Sequence, residues 1–281
     1  MNSNIREEKL QILKSNIQLL YEQRILLNLL NSNGIPTVVI GDSLTALSYP
    51  NPVLRELHDI DLILQGEFFK KAVSLCKQDG YLPFKLPEDQ GNCAHFIRNS
   101  ITIHLITEVR VFSDEQKNQL LNTWIASGKP LTASIGNDTI NTLQQWLNGI
   151  LQLALLQADA QRGRIKMQSL TDWMMFAKNY LCDENWGSFA EKADQFELKE
   201  FAKSITCFGK KYIDINATWC DGTSDKFSNL VVLDTRRPPS RIDTVNTGGL
   251  VRKVKLTIRF LYRMIKQSLL RSIFYVNFLD N

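Results

Sequence analysis

Two aspartates one residue apart, Asp59 and Asp61, are the side chains of this sequence best placed to do chemistry. They stand in an apolar run typical of a β-strand. Because strand side chains alternate between faces, both carboxylates point the same way, about 6–7 Å apart. Two carboxylates cost free energy when they are buried together without a cation. Mg²⁺ prefers carboxylate oxygens and commonly shares them with substrate phosphates, so the pair predicts a cation site for a phosphorylated substrate.

A glycine turn precedes this pair. Gly41-Asp42-Ser43 ends a short apolar run that predicts another strand over about residues 36–41. A glycine at such a turn lets backbone N–H groups approach a phosphate closely. A phosphate-binding turn followed by a cation-binding strand indicates a site for nucleotidyl transfer.

These residues resemble the bacterial uncharacterised nucleotidyltransferase family, within the DNA polymerase β-like superfamily. The family pattern is a glycine turn and then Asp-x-Asp on the next strand, matched here by Gly41-Asp42-Ser43 and Asp59-Ile60-Asp61. Arg55 stands where the family often has an Arg, and Ile101-Thr102-Ile103-His104 falls in the place of a later Val-Asp-Leu-His motif. The similarity covers about residues 15–180, with further matches at Tyr49 and Leu170-Thr171-Asp172-Trp173-Met174.

The resemblance implies a function and roles for the site residues. It implies that an NMP passes from an NTP to a hydroxyl acceptor, which is a sugar, a small molecule, a protein or an RNA. Asp59 and Asp61 would be the catalytic residues and would hold Mg²⁺, or Mn²⁺, on the NTP phosphates. Gly41, Asp42 and Ser43 would bind the nucleotide. Arg55 would either pair with a phosphate or fix the approach of the strand.

Two positions depart from the family pattern. Thr102 stands where the family has a third carboxylate, and Ile40 stands where it has a Lys. A threonine hydroxyl is a much weaker ligand for a hard cation than a carboxylate. Two functions therefore stay open, an active transferase and a catalytically degenerate module that binds a nucleotide or a partner protein. His104 is either part of the site or a hydrogen-bonded structural histidine.

The order of the elements predicts an α+β fold. We expect a small mixed-sheet nucleotidyltransferase core flanked by helices over residues 1–112, followed by a helical domain over 113–220. A linker or long loop follows over 221–249, and a basic amphipathic C-terminal helix over 250–281.

Periodicity predicts the individual elements. In the first half these are a helix over 5–32, a short helix over 43–49, a strand over 59–64, a helix over 68–77 and a hairpin over 92–98 and 101–107. In the second half they are helices over 114–126, 138–160, 166–181 and 186–217, with a loop over 128–137.

The charge of the chain is concentrated at its C-terminal end. Residues 250–281 carry seven basic side chains and one acidic one, whereas the rest carries 26 basic and 28 acidic ones. Apolar residues interleave with these charges over 250–279 at helical spacing. Three interpretations stay open: a helix that docks its apolar side on the protein, a helix lying on an anionic membrane surface, and a nucleic-acid contact.

Composition indicates a globular protein, with 44% hydrophobic and 22% charged residues. The first residues lack the apolar region of a signal peptide. The five cysteines are scattered, odd in number and without a C-x-x-C pair, which favours free thiols in a reducing compartment. We therefore expect a cytoplasmic protein, either free or peripheral to the inner face of the membrane.

Overall fold

A seven-stranded mixed sheet forms the centre of the N-terminal part of the protein. The computed structural model describes residues 2–85, 91–223, 227 and 231–233. The chain divides into two compact units, residues 1–148 and 149–281. The sheet and the helices that flank it confirm the predicted α+β fold class.

The strands of this sheet do not follow one another in chain order. They are β1 (Thr37–Ile40), β2 (Asp59–Leu64), β3 (Leu82–Phe84), β4 (Cys93–Arg98), β5 (Ile101–Ile106), β6 (Leu131–Ile135) and β7 (Asp138–Thr142). Their order across the sheet is β3-β4-β5-β2-β1-β7-β6. β2 runs antiparallel to β1 and parallel to β5, and the hairpin partners β4 and β5 are antiparallel. The central strand β2 thus lies between β5, which carries Thr102 and His104, and β1, which leads into the glycine turn.

The helices that precede residue 162 are α1 (Asn2–Ser32), α2 (Gly41–Ala46), α3 (Gly66–Gln78), α4 (Glu115–Ser127) and α5 (Gln145–Gln161). One face of the sheet packs against α1 in a single apolar cluster that includes Leu26, Leu30, Ile60, Leu62, Ile103 and Leu105. Because alternate residues of a strand face opposite sides, burial of Ile60 and Leu62 turns Asp59 and Asp61 to the other face. The core therefore determines where the two carboxylates point.

The segment 128–142 differs from its prediction. The sequence predicts a loop over 128–137 and a helix from 138, but β6 and β7 form a hairpin that extends the sheet past residue 112. The apolar spacing of Ile140, Leu143 and Leu147 fits a helix, and this spacing conceals the strand. Gly136 has a positive φ of 59° at the turn, and a Gly-Asn pair between two strand-like runs is the signal of a hairpin.

The second unit contains α6 (Met167–Tyr180), α7 (Asp183–Asp194), α8 (Lys199–Gly209) and the parallel pair β8 (Arg164–Lys166) and β9 (Val231–Leu233). The single helix predicted over 186–217 is two helices. Glu197 has a positive φ of 59°, and the Leu198 N–H bonds back to the Ala193 carbonyl at 2.9 Å, a C-terminal motif that ends α7.

Part of the C-terminal prediction lies outside the described residues, namely the basic segment 250–281 and most of the linker over 221–249. β9 falls within that predicted linker. Within the part of the chain that the structure describes, no helix is both long enough and apolar enough to span a membrane.

Candidate active site

The strand register brings four of the predicted site residues onto one face of the sheet. On β5, Thr102 lies beside Asp59 and His104 lies beside Asp61. Residues directly opposite each other on neighbouring strands share a face. All four side chains are half-buried, between core and solvent.

His104, whose role the sequence leaves open, lies within reach of the aspartates. Its Nε2 is 3.9 Å from Asp59 Oδ2, and one ligand atom each of Asp59, Asp61 and His104 lies within 4.8 Å of the others. Two carboxylates and an imidazole at this spacing are able to share one divalent cation. The sequence does not reveal this proximity, because His104 is more than forty positions from the two aspartates. It follows from the pairing of β2 with β5.

Gly41 makes the turn between β1 and α2 directly against Asp61. Its φ of +65° is one that glycine adopts freely and other residues rarely adopt. A Cβ at this position would overlap the Asp61 carboxylate and lie 2.9 Å from its carboxyl carbon. The structure thus brings the glycine turn and the second aspartate into contact.

Asp42, the next residue of the turn, is held by Arg55 and His58. Arg55 Nη2 lies 2.8 Å from Asp42 Oδ1, and the His58 backbone N–H and Nδ1 lie 2.8 and 2.9 Å from Asp42 Oδ2. The Arg55 side chain is only 6% exposed, so it lies under the turn rather than on the surface. His58 is not among the predicted site residues, and its position directly before Asp59 is the only signal for it in the sequence.

These contacts lower the pKa of Asp42. Burial alone would raise this pKa, but the hydrogen bond from His58 and the charge of Arg55 outweigh burial and lower the pKa of Asp42 to about 2. In the unfolded chain an aspartate titrates near its ordinary value of 3.8. The pairing therefore stabilises the folded state above about pH 4, and this stability is lost as the pH falls through about 2.

The side chain of Ser43, the third residue of the turn, faces the interior. The side chain is buried, and its hydroxyl donates to Gln23 Oε1 on α1 at 2.8 Å. The hydroxyl thus fixes α2 to α1. A phosphate contact of Ser43 stays a prediction for its backbone N–H.

The pKa values of Asp59 and Asp61 are shifted in the opposite direction to that of Asp42. Burial, then the charges of Asp59 and Asp42, raises the pKa of Asp61 to about 8. Burial, followed by the charge of Asp42, also raises the pKa of Asp59. The folded protein without a cation therefore holds a proton between these carboxylates near neutral pH, and a divalent cation is the ligand that would replace it. The donor set fits an oxygen-preferring cation.

We expect Asp61→Asn to stabilise the metal-free protein increasingly as the pH rises from about 4 to about 8. At low pH the carboxyl is protonated in both the folded and the unfolded state. As the pH rises the unfolded chain ionises while the folded one, with a pKa of about 8, keeps its proton, so wild type loses stability over this window. The expected gain is about 1–3 kcal/mol in free energy of unfolding at pH ~8. Urea denaturation in EDTA measures it.

A matched variant, Asp79→Asn, serves as the control. Its carboxylate is 41% exposed and faces Arg98. We expect no comparable gain with pH from this variant. If Asp61→Asn gained no more at high pH than at low pH, the burial of a carboxylate pair would be contradicted.

Removal of the Arg55 guanidinium is expected to destabilise the protein. Arg55→Met leaves the charge of Asp42, which is 18% exposed, beside the two other aspartates without its partner. Breaking a buried ion pair from one side costs about 2–4 kcal/mol, measured by urea denaturation at neutral pH. Arg24→Met is the control, because Arg24 is 49% exposed in its pair with Asp138 and should contribute under about 1 kcal/mol. Equal losses of stability in Arg55→Met and Arg24→Met would show that the buried charge of Asp42 does not need Arg55 as its partner.

Several solved structures are similar to this chain at low identity. The crystal structure of ANT(2")-Ia in complex with adenylyl-2"-tobramycin has 11% identity and a TM-score of 0.48, covering 64% of this chain and 99% of that one. An antigenic nucleotidyltransferase-like protein from Paracoccidioides brasiliensis has 13% identity and a TM-score of 0.39, covering 70% and 93%. A tRNA nucleotidyltransferase with a primer tRNA and an incoming ATP analogue has 15% identity and a TM-score of 0.31, covering 67% and 56%.

The family comparison covers most of the sequence. Among curated proteins no match is found. The sequence pattern of the family described as "Uncharacterised nucleotidyltransferase" matches residues 1–213 of this chain's 281. The matched range includes the glycine turn, the aspartate pair on β2 and the facing strand β5. The chain therefore belongs to the uncharacterised nucleotidyltransferase family.

Proposed function

We propose that this protein transfers an NMP from an NTP to a hydroxyl acceptor, with Mg²⁺ or Mn²⁺ held by Asp59 and Asp61. The observation that carries the proposal is the position of both carboxylates on one half-buried face, against the glycine turn at Gly41. The raised pKa values of both groups support it, because they show how much the pair lacks a counter-charge. The acceptor would present a hydroxyl group as nucleophile and would be a sugar, a small molecule, a protein or an RNA.

The reaction would form a bond between the acceptor oxygen and the α-phosphorus, and would break the bond between that phosphorus and the pyrophosphate oxygen. The acceptor hydroxyl would give up its proton to solvent water, and pyrophosphate would leave. A bound divalent cation would neutralise the triphosphate and the charge that develops on the leaving group. Asp59 and Asp61 would hold that cation, and their fixed position on β2 would set where the α-phosphorus lies.

The turn residues would then act mainly by position. Gly41 allows the backbone to run against Asp61, which leaves its N–H groups close to the cation site. Arg55 is buried and bonded to Asp42, so we assign it the second of its two predicted roles, fixing the turn and the approach to β2. His58 completes the support of Asp42 from the other carboxylate oxygen.

A catalytically degenerate binding module is the second candidate. Thr102 favours it, because this threonine lies directly beside Asp59, where the family pattern places a third carboxylate. Asp42 is a weaker candidate for the missing ligand, because both of its oxygens are already bonded, one to Arg55 and the other to His58. A module of this kind would bind a nucleotide without transferring it.

The cellular setting is proposed from the sequence alone. We propose a cytoplasmic protein whose segment 250–279 contacts an anionic membrane surface. Seven basic side chains interleaved with apolar ones support such a contact. This segment lies outside the described residues.

A labelling screen tests the proposed function. Purified protein is incubated with each α-labelled NTP, Mg²⁺ or Mn²⁺ and cell extract, and wild type is compared with Asp59→Ala/Asp61→Ala. We expect metal-dependent transfer of label by wild type only. Metal-dependent nucleotide binding without transfer would favour the degenerate module, and the absence of both in wild type would contradict the two candidates together.

A further inference from the structure

A cluster of nitrogen and sulphur donors lies next to the aspartate pair. Cys93 and His95 are two residues apart on β4 and so share a face, and His95 lies opposite His104 on β5. The distance from Cys93 Sγ to His95 Nδ1 is 3.8 Å, and the two histidine Nδ1 atoms are 2.5 Å apart. One ligand atom of each residue lies within 4.8 Å of the other two. Three donors thus surround one point on the sheet.

The donor types select a class of metal. A thiolate with two imidazoles is a common zinc ligand set, whereas Mg²⁺ takes oxygen ligands. Tetrahedral Zn²⁺ holds its sulphur ligand at about 2.3 Å and its nitrogen ligands at about 2.0–2.1 Å, which puts the ligand atoms about 3.3–3.6 Å from one another. The distance of 3.8 Å lies just above this range and that of 2.5 Å lies below it, so for these two pairs of donor atoms a shift of less than ~1 Å would suffice.

We propose that Cys93, His95 and His104 bind one Zn²⁺ ion, at a site separate from the oxygen site of the aspartate pair. His95 is 7% exposed, and its ring packs against Phe84 with centroids 5.4 Å apart, so its orientation is fixed. Cys93 and His104 are half-buried, which leaves a route for the ion from solvent. The fourth position falls to water, as in zinc sites with three protein ligands.

The site would act on the aspartates through His104. The Nδ1 of this histidine points to the cluster, while its Nε2 lies 3.9 Å from Asp59 Oδ2. When Zn²⁺ takes Nδ1, the ring proton resides on Nε2 and faces the Asp59 carboxylate. Carboxylate–histidine–zinc chains of this kind orient the histidine and tune the metal. His104 would thereby be a positioning residue for Asp59 rather than a third ligand of the catalytic cation.

Cobalt substitution tests the site without any nucleotide. Metal-free protein is titrated with Co²⁺, and the thiolate-to-cobalt charge-transfer band and the visible bands of tetrahedral cobalt are recorded. We expect the charge-transfer band to saturate at one equivalent of Co²⁺ and to disappear when Zn²⁺ displaces the cobalt. Cys93→Ser should abolish the charge-transfer band and lower Zn²⁺ affinity at least ~100-fold, whereas Cys182→Ser, at an exposed cysteine, should change neither. A wild-type protein without the band, or a band that survives Cys93→Ser, would overturn the proposal.

Two further variants keep the test independent of folding and of the proposed function. His95→Cys replaces an imidazole with a second thiolate and should strengthen the charge-transfer band, while a band that disappears in folded His95→Cys would count against the site. Asp59→Asn/Asp61→Asn should bind Co²⁺ with the same charge-transfer band. If that double variant lost the band, the two sites would be one, and the proposal would be wrong even where nucleotidyl transfer is observed.

Discussion

Asn in place of Asp59 or Asp61 is expected to reduce nucleotidyl transfer by about 10³-fold or more, equivalent to about 4 kcal/mol of transition-state stabilisation. Each substitution removes one negative charge and one cation ligand but keeps the shape of the side chain. The measurement is kcat/KM for label transfer from an α-labelled NTP at saturating Mg²⁺ and, separately, at saturating Mn²⁺.

Stability controls separate this loss from unfolding. The metal-free Asp61→Asn protein should be at least as stable as wild type at neutral pH, because the substitution removes a buried carboxylate whose pKa is about 8. Asp79→Asn makes the same chemical change on the surface and should retain wild-type transfer. An Asp59→Asn or Asp61→Asn protein that keeps kcat/KM within about tenfold of wild type would show that the pair is not the catalytic cation site.

The substitution Gly41→Ala is expected to have the second largest effect, a loss of about 2–4 kcal/mol in free energy of unfolding together with most of the transfer activity. A left-handed φ of +65° costs a residue with a Cβ about 1–2 kcal/mol. The added methyl group would also overlap the Asp61 carboxylate and displace it from the cation site. Urea denaturation and label transfer measure the two losses.

Gly34→Ala is a matched control that measures only the cost of placing a residue with a Cβ at a positive φ. Gly34 has a similar φ of +70°, but a Cβ there would meet nothing within 4 Å. This variant should lose only about 1 kcal/mol of stability and keep its activity. In an Asp61→Ala background, Gly41→Ala should cost less than in wild type, since the overlapping carboxylate is gone. Equal losses from Gly34→Ala and Gly41→Ala would refute the contact between the turn and Asp61.

The arrangement of β2 is predictable from sequence because it depends on local patterns. Strict alternation over Asp59-Ile60-Asp61-Leu62 places the apolar residues inside and both carboxylates on the opposite face. The turn at Gly41 is likewise a local signal. The predicted core accordingly contains the strands and the turn that carry the proposed catalytic residues.

The residues around the aspartates depend on contacts distant in sequence. His104 lies beside Asp61 only because β2 pairs with β5 in one particular register, and a shift of one residue would turn its side chain to the core. The pairing of Arg55 with Asp42, and the bond from Ser43 to Gln23, likewise follow from packing of the turn on the rest of the unit. A family motif marks such positions, but it does not state which groups they meet.

The most direct test of the central claim is a crystal structure of the protein with Mn²⁺ and a non-hydrolysable NTP analogue, recorded at a wavelength where manganese scatters anomalously. We expect an anomalous peak about 2.1–2.2 Å from carboxylate oxygens of both Asp59 and Asp61 and from triphosphate oxygens. The turn at Gly41 should lie against the triphosphate. A nucleotide bound elsewhere, or manganese absent from this aspartate pair in the presence of bound nucleotide, would contradict the proposed site.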